Sequence, residues 1–389
     1  MPTYPTYKLG EVAEYINGRA FKPKEWKEKG LPIVRIQNLN DENAEYHYSD
    51  VMHEDKYLLH NGDLLFAWAA SLGTYIWNNG DAWLNQHIFK VIPKENVSKK
   101  YLYFALTSII KELYAKSHGS GMVHVTKDKF VNTEIPLPPL PTQHQIVSRI
   151  ESLFAELDKA VEHLRTAQQQ LKIYRQAVLN HWLNNEDGKW ETVKLGEVAE
   201  KIQIGPFGTQ LHKSDYINGG MPLINPMHIS DRKIFPDYSF SVSKEKYAEL
   251  ENYYLKQGDI ILGRRGEMGR CAVVTNSENG MLCGTGSLFV RSGEKLFPQY
   301  LCYLLSSQKL IAYFENSSSG TTMSNLNRGI VENTEIPLPP LSEQQRIVKE
   351  IELRLAVVEQ TEASISEALQ KAEALRQSIL KKAFGGGLV

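Results

Sequence analysis

Several things are scarce in this sequence of 389 residues, and each scarcity excludes something. No apolar run reaches the roughly 18 residues a membrane-spanning helix needs, so no membrane partner is expected. The start, MPTYPTYKLG, has no apolar signal core, so no export is expected. Cysteine is limited to Cys271, Cys283 and Cys302, all in the second half and without metal-ligand spacing. They are expected to be buried thiols of a cytoplasmic protein. An excess of charge is missing too. The net charge is −1, with 44 basic and 45 acidic residues. The balance holds piecewise: residues 1–132 carry 16 basic and 15 acidic side chains, and residues 186–332 carry 16 and 17. Any nucleic-acid contact must therefore come from local clusters, or be shared with a more basic partner.

Catalytic signatures are also lacking. There is no G-x-x-x-x-G-K-[ST] phosphate loop, and Gly284-Thr285-Gly286 lacks the third glycine of a dinucleotide fingerprint. Asn225-Pro226 is followed by Met227-His228, not by the proline and aromatic residue of an amino-methyltransferase loop. No H-E-x-x-H or other metal spacing occurs, and the eleven histidines are scattered. The expectation is a non-catalytic chain with no cofactor and no metal.

What the chain does have is a repeat. NTEIPLPPL occurs at Asn132–Leu140 and again at Asn333–Leu341, nine identical residues at an offset of 201. KLGEVAE at Lys8–Glu14 returns at Lys194–Glu200, an offset of 186. Gly62-Asp63-Leu64-Leu65 returns as Gly258-Asp259-Ile260-Ile261, and YLYFAL at Tyr101–Leu106 returns loosely as YLCYLL at Tyr300–Leu305. The copies are collinear, and the second has gained about 15 residues between its matched ends. Their middles diverge.

A long helix follows each proline phrase. Thr142 with Gln145, and Ser342 with Gln345, fit capping boxes. No proline or glycine then appears until Gly188 in one copy and Gly385 in the other. Ile146, Ile150, Leu153, Leu157, Ala160, Leu164, Ala167, Leu171, Tyr174 and Val178 alternate steps of four and three, which is a heptad seam. Adding 201 gives a weaker seam from Ile347 through Leu375 to Ile379, interrupted by Arg354 and Thr361. Each helix should span roughly 60 Å. A compact domain has neighbouring ends, so the order domain, helix, domain, helix makes the helices antiparallel and puts the domains at opposite ends. The fold class is thus α/β: two mixed α/β domains separated by two long antiparallel coiled-coil helices in a pseudo-two-fold internal repeat. The expected division is a first domain at 1–132, a central helix at 133–186, a second domain at 187–332 and a C-terminal helix at 333–389. Strands are expected around Pro32–Leu39, Asp63–Ala70, His87–Pro93, Pro222–Ile229, Asp259–Gly266 and Arg270–Thr275. Amphipathic helices are expected at Tyr101–Tyr114 and Tyr300–Phe314.

Taken together, KLGEVAE, the GD(L/I)(L/I) turn, NTEIPLPPL(P/S)xQxxIV and a helix closing in LRQSILKKAF resemble the specificity subunit of type I restriction–modification systems. The likeness runs through both copies and essentially the whole chain. It implies two target-recognition domains, each reading one half of a split site on double-stranded DNA. It implies helices that set the unread spacer and dock two copies of a methyltransferase subunit. Through these, a restriction subunit joins the full complex. The stretch Leu355–Ile365 differs markedly from its counterpart, so the two docking faces need not be equal.

Base readout needs side chains such as Arg, Asn and Gln, while loops rich in Gly, Ser and Thr let backbone approach phosphates. In the first domain this points to Asn17–Trp26, Asn85–Phe89 and Ser117–Lys129, with Arg19, Lys22, Lys24, Gln86, His124, Thr126 and Lys127 as DNA-binding candidates. In the second it points to Gly205–Asp215, Gly263–Arg270 and Ser317–Arg328, with Gln210, His212, Lys213, Arg264, Arg265, Asn325, Asn327 and Arg328. Arg35, Gln37 and Asn38 are alternatives, for which a buried hydrogen-bonding role competes. Trp68, Trp77 and Trp83 are read as core. Two other functions fit parts of this pattern: a self-contained DNA methyltransferase or nickase, and a two-headed scaffold for proteins or glycans.

Overall fold

The computed structural model describes residues 4–41, 43–116, 125–185, 188–318 and 325–388. It divides into two units, residues 1–165 with 366–389 and residues 166–365.

In the first unit, Ala13–Asn17, Ile88–Pro93, Leu64–Ala67 and Gly73–Ile76 form an antiparallel sheet in that spatial order. A second sheet has the order His47–Ser49, Leu31–Val34, Ala82–Leu84, Leu58–Leu59, and its central pair is parallel. The second unit repeats this plan. Ala199–Ile204, Ser287–Ser292, Ile260–Gly263 and Cys271–Val273 form its antiparallel sheet. Met221–Ile224 and Leu282–Cys283 form the parallel pair of its second sheet. It adds a hairpin, Ile229–Ser230 with Lys233–Ile234, turned by Asp231 and Arg232 at φ of 48° and 57°.

The repeated proline phrase closes each unit. Glu134–Pro136 pairs antiparallel with Thr6–Lys8, and Glu335–Pro337 pairs with Thr192–Lys194, so each domain's last strand lies on its first. The prolines that follow cannot extend a ladder, and the helices start at Leu140 and Leu341. These starts precede Thr142 and Ser342, so the capping boxes read from the sequence do not form. Pro139 O and Pro340 O instead accept the first helical amides, from Thr142 and Gln143 and from Glu343 and Gln344. Gln143 and Gln344 are fully buried. Gln143 accepts from Ser98 N at 2.8 Å and donates to Asn96 O and Pro138 O. Gln344 accepts from Phe297 N at 2.8 Å and donates to Lys295 O and Pro339 O. Each glutamine bolts the root of a helix to its own globular domain.

Both long helices, Leu140–Leu183 and Leu341–Phe384, have 44 residues. Within each unit their segments run antiparallel. In the first, Ile146 and Ile150 share a core with Ile379, Leu380 and Ala383, and Arg376 pairs with Asp158. In the second, Val178, Leu179 and Leu183 share a core with Ile347, Ile351 and Leu355, and Arg175 pairs with Glu362 at 2.9 Å. The heptad reading drifts, already at Ala160, which is exposed while Val161 is half-buried. Tyr174 and Leu375, assigned to the seam, are exposed. The next residues, Arg175 and Arg376, make the ion pairs across to the opposite helix.

Two elements differ from expectation in detail. The strand around Pro32 ends at Val34, and Ile36–Asn40 is helical. The amphipathic segment after Pro298 is two helices, Pro298–Leu305 and Gln308–Ser318, broken where Ser307 Oγ accepts from Leu310 N. Cys271, Cys283 and Cys302 are buried, and the sulfurs of Cys271 and Cys302 lie 3.6 Å apart. Among the described residues no helix is long and apolar enough to cross a membrane.

Candidate nucleic-acid interface

In each unit, backbone hydrogen bonds gather loops from distant parts of the chain at one corner. In the first unit Gly18 N donates to Ile88 O, Gln86 N to Arg19 O, Trp68 N to His87 O, Val125 N to Trp68 O and Asn85 N to Val34 O, at 2.8 to 3.3 Å. The second unit repeats the pattern. Gly205 N donates to Ser287 O, Arg264 N to Gly286 O, Leu326 N to Arg264 O and Gly284 N to Ile224 O, at 2.9 to 3.0 Å. The glycines follow from this geometry. A Cβ on Gly18 would sit 2.0 Å from Asn85 O, and one on Gly205 would sit 2.0 Å from Gly284 O. Only glycine lets the loops approach this closely.

The shared backbone pattern aligns the side chains. Trp68 and Arg264 occupy one position, Asn85 and Gly284 another, and Arg35 and Asn225 a third. Thr126 and Asn327 correspond as helix caps, accepting from Lys129 N and Ile330 N. Asn38 and His228 also correspond: Asn38 Oδ1 accepts from Arg35 N at 3.1 Å, and His228 Nδ1 lies 3.2 Å from Asn225 N. The frame is one, and the side chains mounted on it differ.

Arg19, Gln86, Thr126 and Lys127 fall at the first corner, through contacts made by their own or adjacent residues. Arg19 is paired with Glu25 and lies over the Phe21 ring. The Lys22 amide, and then Arg19, hold the Glu25 carboxyl below the usual range. Lys22 and Lys24 are exposed on the neighbouring turn Pro23–Glu25. His124 lies outside the described residues. Trp77 and Trp83 are buried, while Trp68 is half-buried at the corner, its Nε1 donating to Asn17 Oδ1 at 3.0 Å.

At the second corner Arg264, Arg265, Asn325, Asn327 and Arg328 come together. Arg264 is only 8 % exposed and its Nε donates to Leu326 O at 2.8 Å. Burial, and then the neighbouring Arg265 charge, lowers its pKa. Arg265 is exposed. Arg328 pairs with Glu332 at 2.6 Å. Gln210 accepts from Tyr253 Oη at 2.7 Å, and His212 and Lys213 sit on an exposed turn after it.

Sequence reasoning placed Trp26 and Asn85 inside favoured loops without naming them as candidates, did not offer Asn225 as a DNA contact, and held Arg35 only as an alternative. Trp26 stacks on His47, with ring centroids 3.9 Å apart and planes 7° apart. The Arg35 guanidinium carbon lies 5.6 Å from the Trp26 ring centroid. Burial, and then the Arg35 charge, pushes the His47 pKa down. The arginine and asparagine lie just beyond the parallel strands Leu31–Val34 and Ala82–Leu84, a proximity that only strand pairing creates.

The chain matches the family model of the type I restriction modification DNA specificity domain twice, over residues 1–164 and 187–369. It is 27 % identical over 404 residues to the Type I restriction enzyme EcoBI specificity subunit of Escherichia coli, covering 98 % of this chain and 85 % of that one. It is also 27 % identical to the MjaVIII specificity subunit of Methanocaldococcus jannaschii, covering 94 % and 89 %. Among solved structures, the HsdS subunit from Thermoanaerobacter tengcongensis superposes with a TM-score of 0.62 at 22 % identity, over 100 % of this chain and 98 % of that one. A chain from work on complex assembly and conformational transition of the type I R-M system superposes with a TM-score of 0.76 at 22 % identity, over 100 % and 99 %. With both repeats matched, the chain belongs to the type I restriction–modification DNA specificity family.

Proposed function

We propose that this chain is the DNA-reading, non-catalytic subunit of a type I restriction–modification complex, and that its two corners each read one half of a bipartite site. One observation carries this: the same loop corner is built twice on matching backbone contacts, with Trp68, Asn85 and Arg35 in one copy and Arg264, Gly284 and Asn225 in the other. A repeated frame with unlike side chains suits two reading heads for two different half-sites. The target-recognition domains are residues 1–132 and 187–332, and the helices between and after them set the unread spacer.

The partners are double-stranded DNA, two copies of a methyltransferase subunit and, through them, a restriction subunit. Exposed apolar residues on the helices support docking there. Ile173 is 70 % exposed and Leu353 64 %, and Tyr174, Val357 and Leu375 are also exposed. Such side chains on a helix face mark interaction surfaces. A near-neutral chain fits if these partners supply many phosphate contacts.

Co-expression with the methyltransferase subunit, followed by mapping of methylated bases, tests the reading. The expected result is methylation of one split sequence, by a complex with two methyltransferase subunits per chain. Methylation without sequence preference, or a saturated complex holding one such subunit, would count against it.

A further inference from the structure

The corner of the first unit holds polar atoms whose hydrogen-bonding capacity the chain leaves unused. Arg35 Nε, Trp26 Nε1, Asn85 Oδ1 and Arg19 Nη1 are buried atoms without a hydrogen-bond partner among the described residues. The residues that carry them are linked through backbone bonds and one ring contact. Asn85 N donates to Val34 O, beside Arg35, while Arg19 bridges Asn85 and Arg35 lies against the Trp26 ring. A buried polar group left unmatched is costly and rare in folded proteins, so four together call for a function.

The two arginines of this globular domain differ. Arg19 is held in an ion pair with Glu25. Arg35 has no ion pair among the described residues, yet it is half-buried and oriented by the Trp26–His47 stack. A guanidinium fixed in this way presents its fork to two acceptors side by side. Asn85, which follows Leu84 as Arg35 follows its register partner Val34, carries in Oδ1 an acceptor that calls for a donor.

That combination describes one base pair. In the major groove, guanine offers O6 and N7 together, and its cytosine offers the N4 amino donor next to them. Adenine and thymine offer no such adjacent pair of acceptors. A phosphate would satisfy the fork, but not Asn85 Oδ1, which would face an anionic oxygen with a lone pair. The Glu25 carboxylate at the same corner disfavours an anion further. Resting on the specificity-subunit reading, we propose that Arg35 and Asn85 form the subsite by which the first domain reads a G·C pair, with Trp26 as the positioning residue for Arg35.

The equivalent position in the second unit is chemically different. Asn225 replaces Arg35, and its Oδ1 accepts from Gly286 N at 3.4 Å. Gly284 replaces Asn85. The subsite therefore belongs to one half-site only.

The test uses the complex with its methyltransferase subunit and a set of duplexes in which each base pair of the recognised sequence is varied singly. Wild type should discriminate against replacement of one G·C pair in one half-site by about 5- to 150-fold. Arg35→Ala and Arg35→Lys should both lose that discrimination and keep it at every other position. Asn85→Ser, which leaves the backbone link to Val34 possible, should weaken discrimination at the same pair. Lysine keeps the charge but not the fork, so a phosphate anchor would survive Arg35→Lys. The proposal is overturned if Arg35→Ala weakens all duplexes alike with a shallower salt dependence. It is equally overturned if discrimination is unchanged, or if the Arg35 and Asn85 variants map to different base pairs. Should Arg35→Ala fail to assemble, Arg35→Lys and Asn85→Ser decide the matter. Wild type that discriminates at no position would instead reject the specificity-subunit reading itself.

Discussion

Arg291 holds Asp259 in a two-pronged ion pair, Nε to Oδ1 and Nη2 to Oδ2, both at 2.8 Å. Asp259 is 1 % exposed, and its Oδ2 also accepts from Lys256 N, closing the turn before Ile260–Gly263. In the first unit Asp63 closes the same turn on His60 N and takes Lys90 as its cation at 2.8 Å. The aspartate of the repeated GD(L/I)(L/I) motif is thus a structural anchor. Asp259→Asn should destabilise the second unit by about 3–5 kcal/mol, because a largely buried Arg291 charge loses its counter-ion. Urea unfolding of the full chain measures this, and a loss under about 1 kcal/mol would contradict the anchor.

The buried glutamines at the helix roots give a second prediction. Gln344→Leu is close in volume but leaves Phe297 N without its acceptor and Lys295 O and Pro339 O without their shared donor. Lys295 is exposed and its carbonyl can turn to water, so two unmatched groups at about 1–3 kcal/mol each set the expected cost at about 2–6 kcal/mol. Gln143→Leu should behave alike in the first unit, since Gln143 makes the same set of bonds. Thermal unfolding of both variants checks this, and two near-neutral substitutions would show the bolts to be dispensable.

These anchors show what the sequence could and could not reveal. The repeat exposed the plan, because NTEIPLPPL and KLGEVAE are the strands and turns that close each domain and so tolerate little change. The long helices were visible from their spacing and from the lack of glycine and proline. The seam drifted at Tyr174 and Leu375 because a straight helix does not keep a 3.5-residue period, and arginines can take seam positions by pairing across. The candidate loops that carry Arg19, Gln86, Thr126 and Arg264 do meet at the corners, since glycine and polar composition mark loops well. Arg35 and Asn225 were harder to see. Each follows an apolar strand, and only the parallel pairing of that strand with Ala82–Leu84 or Leu282–Cys283 brings it to the corner. At Arg264 the limit is different: no local pattern announces that packing ties its Nε to the carbonyl of Leu326, a residue 62 positions away in the chain.

Acid should weaken the second unit through His228. Its ring is 4 % exposed, lies 5.4 Å from the Phe240 ring and keeps Nδ1 near Asn225 N. Burial pushes its pKa below 6.5 in the folded state. The unfolded chain therefore binds the proton more tightly, so this stability is fully present above about pH 6.5 and falls as pH drops below it. His228→Asn installs the residue that serves the same turn in the first unit, Asn38, without a titrating ring. The variant should lose part of the decline in unfolding free energy between about pH 6.5 and 5. Equal pH slopes in variant and wild type would assign the acid sensitivity elsewhere.

The adjacent arginines Arg264 and Arg265 should separate cleanly. Arg264 is buried and ties Leu326 O to the corner through Nε, whereas Arg265 is exposed beside it. Arg264→Ala removes a charged donor and leaves Leu326 O without it, although the backbone bond from Leu326 N to Arg264 O can persist. The expected cost is about 1–3 kcal/mol of stability. DNA recognition should be lost at one half-site only, because loop 325–328 is then held less firmly. Arg265→Ala removes no hydrogen bond or ion pair among the described residues and should leave the melting temperature nearly unchanged. Two outcomes separate its roles at the DNA. If Arg265 holds a phosphate, binding weakens for all sequences and the salt slope falls by about 1. If it reads a base, one position of one half-site relaxes by about 1–3 kcal/mol while the slope stays the same. Unfolding curves and salt-dependent binding of the two variants, in complex with the methyltransferase subunit, make the comparison. An unstable Arg265→Ala beside a stable Arg264→Ala would reverse the assignment of holder and reader at this corner.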